Sequence, residues 1–493
     1  MSSVSVSPAA LPDQPDPTDG QTVIAGRRRA ELQLLALAIG VVAFAFVNVG
    51  LSLKGQSFGT FFTYIVLFAV ITLIAHVAIR RWAPYADPLL LPLAIVLNGL
   101  GIVMIYRLFE AGRNGNPGPP SGTITTMSHD AVTMQILYTV VGVACFVAFL
   151  VFIKEPRVLQ RYTYLFGLIG VGLFALPAVL PASISEVQGA KIEVRLPGLG
   201  SLQPEEFAKL FIAVSFAGYL VVKRDVLSLA GRRVLGVDLP RGRDLGPILA
   251  MWVISMLLLV FESDIGTSAV FMGLFVAMIY IATARNSWLM IGFGMFVGGA
   301  LIAAVAIPHV GERFSIWLHP FSYANLVNTS PSGLGQPAYQ LAQGLYGMAN
   351  GGVLGRGLGG GQPFWTPLVQ SDLVFTAFGE ELGLTGVMAL LLIYGLIVQR
   401  GLRTAIMIKD PFSKLLAGGL SFMLALQVFV IVGGVTRLIP LTGIVTPFLA
   451  QGGSSLIGSW VVIGILVRLS DTARRPAPKP IQDEGLTQVV SLK

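Results

Sequence analysis

The chain has 493 residues, of which 54% are hydrophobic and 12% are charged, with a formal net charge of +8. Apolar runs recur at the length of about 20 residues that a helix needs to cross a bilayer. The composition therefore predicts a polytopic membrane protein. Nucleic acid is excluded as a partner, because the basic residues cluster at the ends of these runs. The single cysteine, Cys145, excludes an intramolecular disulfide.

The order of segments predicts an all-α architecture in four parts. Residues 1–26 lack Lys and Arg and predict a disordered tail. Two accessory transmembrane helices follow in residues 27–84, then a ten-helix core in residues 85–468 and a short tail in residues 469–493. The predicted spans lie near residues 31–52, 58–79, 87–106, 132–153, 162–180, 205–222, 245–263, 265–284, 287–308, 377–399, 414–436 and 447–467.

The basic residues predict the orientation of these spans. If the N-terminus lies inside, then Arg27–Arg29, Arg80, Arg81, the cluster from Lys223 to Arg243 and the tail from Arg468 all lie inside. The positive-inside rule then places both termini in the cytoplasm. A large loop between helices nine and ten, residues 309–373, faces outward, so we expect the chemistry on the external side.

The glycine-rich stretch from Tyr339 to Gly361 lies in that loop. Its glycines allow the backbone to approach a ligand or a neighbouring helix closely. Its mixture of Gln, Asn, Tyr and Arg with apolar residues differs from a flexible linker, which would be richer in Ser, Pro and charge. A flexible loop is the alternative. We predict that the stretch contacts the substrate through Tyr339, Gln340, Gln343 and Arg356.

An ionisable pair is predicted at the start of the sixth span, Gln203-Pro204-Glu205-Glu206-Phe207-Ala208-Lys209. Proline at the first helical position and carboxylates in the first turn favour a helix N-terminus. Glu206 and Lys209 share one helix face and can pair. Because such a pair is costly at membrane depth, we predict that it serves substrate binding, with a structural ion pair as the alternative.

Two further acidic segments border apolar runs. Asp264 lies where two spans meet, and a helix-capping role is its alternative. Asp372, Glu380 and Glu381 belong to the segment that leads into the tenth span. Carboxylates at such positions could orient a sugar or bind a divalent cation, although no spacing among them specifies a metal. The four histidines are scattered and predict no metal site.

The last apolar region is interrupted by Pro440-Leu441-Thr442-Gly443, by Pro447 and by Gln451-Gly452-Gly453-Ser454-Ser455. Irregular backbone at membrane depth is tolerated where it is buried in protein or lines a cavity. We therefore predict a discontinuous helix beside a cavity, with Ser454 and Ser455 as substrate-binding residues.

Together these segments resemble the SEDS family (shape, elongation, division and sporulation; RodA, FtsW and SpoVE) over residues 87–468. The family's QPSE-x-x-K motif corresponds to Gln203 through Lys209, and its PDLGT to Ser263 through Thr267. Its glycine-rich loop corresponds to Ala338 through Gly359, its SDFIFA-x-x-GEELG to Ser371 through Gly383, and its LP-x-TG segment to Ile439 through Ser455. The two N-terminal helices and the segment Arg437 through Gly443 resemble the actinobacterial RodA branch.

The resemblance implies a metal-assisted peptidoglycan glycosyltransferase that polymerises lipid II, the undecaprenyl-linked disaccharide-pentapeptide, at the plasma membrane. It implies a divalent cation, Mg²⁺ or Mn²⁺, and a class B penicillin-binding protein as transpeptidase partner in elongation or division. The reaction needs a base for the acceptor hydroxyl and positive charge for the leaving pyrophosphate.

One departure from the family pattern concerns the base. The family's presumed catalytic aspartate follows a WL-x-P segment, but Trp317-Leu318-His319-Pro320 is followed by no acidic residue before Pro331. Asp372, Glu312 and Asp264 are the candidates for a displaced base. The departure also keeps an alternative open, a lipid II flippase or a catalytically silent scaffold. A secondary transporter is a third hypothesis, disfavoured because no inverted repeat is visible.

Overall fold

The computed structural model describes residues 17–52, 58–113, 130–187, 190–191, 193–196, 200–228, 230–234, 237–240, 246, 249–250, 253–254, 257, 265–322 and 337–476. Helices dominate these residues. They are α1 (Pro17–Ser52), α2 (Phe58–Trp82), α3 (Leu90–Arg113), α4 (Asp130–Phe152), α5 (Thr163–Val179), α6 (Ala182–Ser185), α7 (Pro204–Ser228), α8 (Ile265–Thr283), α9 (Asn286–Ala306), α10 (Pro308–Leu318), α11 (Pro337–Gly351), α12 (Val374–Met407), α13 (Pro411–Val435) and α14 (Gly453–Arg474).

Short elements connect some of these helices. Two 3₁₀-helices cover Pro156–Tyr162 and Pro363–Trp365. Three two-stranded antiparallel hairpins pair β1 (Glu186–Val187) with β2 (Ala190–Lys191), β3 (Val194–Leu196) with β4 (Gly200–Leu202), and β5 (Ala230–Val234) with β6 (Val237–Pro240). The hairpins were not predicted, but they lie between helices and leave the predicted all-α class intact.

Ten helical segments in the described part of the chain are long and apolar enough to cross a membrane. They correspond to ten of the twelve predicted spans. The predicted span 205–222 lies inside α7, whose length of 25 residues suits a span but whose first turns carry acidic side chains. Most of the predicted span 245–263 lies outside the described residues. The polytopic membrane architecture is therefore confirmed.

The centre of the bundle is formed by α3 and α14. The apolar window of α3 is 89% buried, whereas that of α9 is 17% buried and exposes side chains such as Phe293 and Val305. α3 packs against α1, α4, α12 and α14. Close packing requires glycine at Gly142 of α4, where a Cβ would lie 2.6 Å from Trp460 of α14. Lipid-facing apolar residues on α9 are expected in a bilayer, because no polar solvent surrounds that helix.

Three boundaries differ from prediction. α1 begins at Pro17, inside the predicted tail 1–26. The predicted outward loop 309–373 contains two helices, since α10 covers most of its first part and α11 holds the start of the glycine-rich stretch. The last span begins at Gly453 rather than near residue 447, because the backbone from 436 to 452 is not helical. That interruption confirms the predicted break.

The two ends of the bundle are marked by different contacts. At one end, named here the basic end, Arg474 bonds Asp87 at 2.6 Å, and Arg468 donates to Trp82 O at 2.6 Å. Arg28, where the apolar part of α1 begins, contacts Ala86 O at this end. At the other end, named the loop end, Ser52 closes α1 and lies 3.0 Å from Leu358 O. Arg28, Arg468 and Arg474, predicted to share one side of the membrane, thus lie at the same end of the bundle.

Candidate functional site

A buried ion pair lies in the first turns of α7. Lys209 Nζ and Glu206 Oε1 are 2.9 Å apart, and their side chains are 2% and 6% exposed. The helix begins at Pro204, as predicted, so Glu206 and Lys209 fall three residues apart on one face. The predicted pair is confirmed. Its burial inside the helical bundle of a membrane protein marks it as a functional candidate, since an ion pair without a role is costly there.

The pair lines a small cavity between α7, α13 and α14. Gln427 of α13, Phe448 of the irregular segment and Ser459 of α14 line the same space. The cavity holds about 20 Å³, enough for a water molecule but not for a sugar. Polar side chains and the ammonium group of Lys209 therefore lie together in an otherwise apolar interior.

The irregular segment 436–452 borders this cavity through Pro447 and Phe448. Phe448 has a φ of +66°, a conformation that bulky residues rarely adopt. Gly101 of α3 permits it, because a Cβ there would lie 2.3 Å from Phe448 O. The ring of Phe448 packs edge-on against Trp460 at 5.7 Å, and Tyr394 bonds Pro447 O. Strained backbone held by such packing is a frequent feature of functional sites.

The end of that segment ties two distant parts of the chain together. Ser454 Oγ accepts the N–H of Gln203 at 2.8 Å, directly before α7, and Gln451 N donates to Gln370 O at 2.8 Å. Gln203 and Gln370 lie close in sequence to Glu206 and Asp372. Both carboxylates therefore lie at the loop end. Ser455 is buried, and its hydroxyl has no hydrogen-bond partner among the described residues.

Asp372 is not among the described residues that line the cavity. Ser371 Oγ donates to Asp372 Oδ1 at 3.0 Å. Burial raises the pKa of the Asp372 carboxyl above its ordinary value of 3.8, and the charge of Arg313 opposes that rise only in part. Arg313 of α10 donates to Leu441 O at 2.8 Å, which links α10 to the irregular segment. Its neighbour Glu312 is exposed. Asp264 lies outside the described residues.

The glycine-rich loop, residues 352–361, follows α11. Four of its glycines have positive φ, among them Gly355 at +83° and Gly359 at +85°. A Cβ at Gly355 would lie 2.2 Å from Glu381 O, so the loop approaches α12 more closely than another residue allows. Leu384 N donates to Gly352 O at 3.0 Å, at the break in α12 where Gly383 has a φ of +66°.

Two adjacent carboxylates hold this loop. Glu380 Oε1 accepts Gln362 N at 2.9 Å and Asn350 Nδ2 at 3.1 Å. Glu381 accepts Arg107 Nε at 2.9 Å and Gly359 N at 3.1 Å. Glu380 was predicted to bind substrate, but its Oε1 already accepts hydrogen bonds from the protein itself. The pair Arg107–Glu381 is buried in the helical bundle, and the pairing of Glu381 with Arg107 was not predicted.

The other predicted substrate contacts lie on this loop and on α11, which precedes it. Arg356 is exposed and donates to Asn350 O at 2.9 Å. Tyr339 and Gln343 are half-buried on α11, and Gln340 is buried. Glu206 and Lys209 therefore lie at the cavity, whereas Glu380 and Arg356 lie at the glycine-rich loop, and Glu312 and Asp372 belong to neither described lining.

Sequence reasoning missed two features of the site. Arg107 carries a signal, because it is a charged residue near the end of an apolar run. Gln427 carries a similar signal as a polar residue in the apolar sequence of α13. No His, Cys, Asp or Glu cluster of three or more in the described part of the chain could hold a metal ion.

The fold and the buried site define a polytopic α-helical membrane protein with an ionisable cavity at one end. A family model described as "Cell cycle protein" (FTSW_RODA_SPOVE) matches residues 87–475. The chain belongs to this FtsW/RodA/SpoVE family, as the resemblance predicted.

Individual relatives support this family membership. The chain is 46% identical over 451 residues to the peptidoglycan glycosyltransferase RodA of Mycobacterium tuberculosis, covering 91% of this chain and 92% of that protein. It is 29% identical to the stage V sporulation protein E of Bacillus subtilis, covering 79% and 98%. A crystal structure of a mutant rod shape determining protein RodA of Thermus thermophilus matches with a TM-score of 0.52 at 21% identity, covering 80% and 99%. That structure supports the fold alone.

Proposed function

We propose that this protein is a peptidoglycan glycosyltransferase that polymerises lipid II into glycan strands. The observation that carries the proposal is the buried Glu206–Lys209 pair at a cavity bordered by strained, irregular backbone. The similarity to named relatives also supports the proposal, because relatives at 46% identity are named peptidoglycan glycosyltransferase RodA. An ionisable pair inside a membrane protein is retained where it contacts substrate or charge.

The reaction joins the acceptor sugar hydroxyl to the anomeric carbon of the donor, while the donor's bond to undecaprenyl pyrophosphate breaks. The ammonium of Lys209 is suited to stabilise the negative charge that develops on the leaving pyrophosphate. Glu206 holds Lys209 in place at 2.9 Å. The acceptor proton goes to a carboxylate base, for which Asp372, Glu312 and Asp264 remain the candidates.

The cavity has to widen for this chemistry, since its 20 Å³ admits only about one water molecule. The irregular segment 436–452 is the element best suited to move, because it lacks a continuous helical hydrogen-bond ladder. The glycine-rich loop and α11 then contact the sugars through Tyr339, Gln340, Gln343 and Arg356.

The loop end is proposed to face the outside of the plasma membrane, with both termini in the cytoplasm. Arg28, Arg468 and Arg474 at the basic end support this orientation through the positive-inside rule. A class B penicillin-binding protein is the proposed transpeptidase partner. A divalent cation, Mg²⁺ or Mn²⁺, stays a prediction.

The test is polymerisation of labelled lipid II by the purified protein with its cognate transpeptidase, with and without divalent cation. We expect glycan strands from the wild type. Strands lost on Asp372→Asn or Glu312→Gln, with folded protein retained, identify the base among the described residues. Strands that persist in both variants leave Asp264 as the candidate, to be tested by Asp264→Asn.

A second candidate function rests on one observation. The sequence from Arg313 to Ser371 contains no Asp or Glu, although the family's presumed base follows a WL-x-P segment there. A flippase or scaffold would need no base. Lipid II bound by an intact complex that forms no strands would favour this function and contradict the polymerase.

A further inference from the structure

The C-terminal end of α1 contacts the glycine-rich loop. Ser52 Oγ lies 3.0 Å from Leu358 O and 2.8 Å from Asn48 O of its own helix, so one hydroxyl proton serves both carbonyls. Gly359 fits against the same turn, since a Cβ there would lie 2.5 Å from Ser52 Cβ and 3.8 Å from Val49 Cα. α1 therefore forms one wall against which the loop rests.

The accessory helices also pack on α3. The rings of Phe46 of α1 and Tyr64 of α2 lie 5.7 Å and 6.0 Å from the ring of Tyr106. Nearer the middle of α3, Gly99 permits a close approach, because a Cβ there would lie 2.3 Å from Val42. Aromatic and close-packed contacts of this kind fix the position of α3 relative to α1 and α2.

The residue after Tyr106 continues the connection to the loop. Arg107 Nη2 donates to Gly359 O at 3.1 Å and to Gly361 O at 2.9 Å. Its Nε donates to Glu381, which in turn accepts Gly359 N. The loop is thus held from α1 directly, and from α3 at a point where α1 and α2 pack.

The match to the family model begins at residue 87, after α1 and α2. We propose that these two helices position the glycine-rich loop for its substrate, with Ser52 as a positioning residue. The proposal rests on the proposed function of this loop in binding the sugars of lipid II. Under this proposal the N-terminal helices take part in the reaction by positioning the loop, in addition to anchoring the protein in the membrane.

The first arm of the test needs no substrate. Hydrogen exchange of the backbone amides of residues 357–360 is compared in wild type, Ser52→Ala and Thr72→Val. Thr72 is the matched control, because its hydroxyl bonds only Phe68 O of its own helix in the described contacts. We expect exchange to rise about 2- to 10-fold in Ser52→Ala, as for one lost hydrogen bond, and to stay at the wild-type rate in Thr72→Val. Unchanged exchange in Ser52→Ala overturns the proposal.

The second arm measures lipid II polymerisation by the same variants with the cognate transpeptidase. We expect Ser52→Ala to raise KM about 2- to 10-fold with kcat within about 2-fold, and Ser52→Thr to restore KM. A wild-type KM in Ser52→Ala overturns the positioning role. If the wild type forms no strands, the proposed function fails, whereas the exchange arm still decides whether α1 holds the loop.

Discussion

Two buried ion pairs lie at the loop end, and they differ in what else their charged groups contact. Both are joined at 2.9 Å, Lys209 to Glu206 and Arg107 to Glu381. Arg107 and Glu381 direct their remaining bonds to the glycine-rich loop. Glu206 and Lys209 instead line a cavity with Gln427 and Ser459.

The difference separates a pair that holds structure from a pair that can meet a ligand. Replacing either partner of a buried pair leaves the other without its counter-ion, which destabilises the fold. Where a cavity admits water, that cost falls, because the remaining charge is solvated. We therefore expect the first pair to govern stability and the second to govern catalysis.

The largest expected effect is on activity. Lys209→Ala should reduce lipid II polymerisation by at least about 100-fold, because it removes the cation that stabilises the leaving pyrophosphate. Folded protein should be retained, as judged by its elution from size-exclusion chromatography in detergent. Lys414→Ala is the matched control, since Lys414 is exposed on α13 and should polymerise as the wild type does. Normal growth with Lys209→Ala as the sole copy would contradict the assignment.

The next effect is on stability. Glu381→Gln leaves the guanidinium of Arg107 buried without its counter-ion and should lower the free energy of unfolding by about 3 kcal/mol. Glu380→Gln is its neighbouring control, because the described hydrogen bonds of Glu380 come from neutral groups, Gln362 N and Asn350 Nδ2. It should cost about 1 kcal/mol. If thermal or chemical unfolding shows that both variants lose the same free energy of unfolding, then Glu381 does not contribute more to stability than Glu380.

A smaller effect is expected where the irregular segment meets α3. Gly101→Ala places a Cβ 2.3 Å from Phe448 O, which forces that backbone to shift. We expect a loss of about 2 kcal/mol in unfolding free energy, with reduced polymerisation per folded molecule. Gly395→Ala is the control on α12, since a Cβ there meets no atom within 4 Å. Wild-type behaviour of Gly101→Ala would mean that the Phe448 conformation is dispensable.

The smallest effect concerns pH. Burial raises the pKa of Asp372 above 3.8 in the folded protein, so the folded state binds this proton more tightly than the unfolded state. As pH rises from about 3.8 through the raised pKa, the group's contribution to stability is lost. The unfolding temperature of Asp372→Asn, relative to the wild type, should therefore increase over that window. If the difference in unfolding temperature between the two proteins does not change with pH, then burial does not raise the pKa of Asp372 in the folded state.

The sequence predicted the cavity pair because its spacing is local. Glu206 and Lys209 lie three residues apart in one helix, and Pro204 marks where that helix begins. The break before α14 was equally visible, since Pro440, Gly443 and Pro447 interrupt an apolar run. Both predictions needed only neighbours along the chain.

The second pair could not be predicted in that way. Arg107 and Glu381 are separated by 274 positions in the sequence, and only the packing of α3 on α12 brings them together. The helices α10 and α11 were also missed, because glycine and polar residues in their sequences favour a loop over a helix. Their tertiary contacts are not visible along the chain: α11 packs against α12, and α10 packs against α9 and bonds the irregular segment through Arg313.

The most direct test of the account is binding of labelled lipid II to wild type and Lys209→Ala in nanodiscs, at several salt concentrations. We expect the Kd of Lys209→Ala to be at least about 10-fold higher at low salt, as for a lost charge-assisted contact. Lys414→Ala should bind as the wild type does. An unchanged Kd and unchanged strand formation in folded Lys209→Ala would contradict the claim that this cavity holds the pyrophosphate.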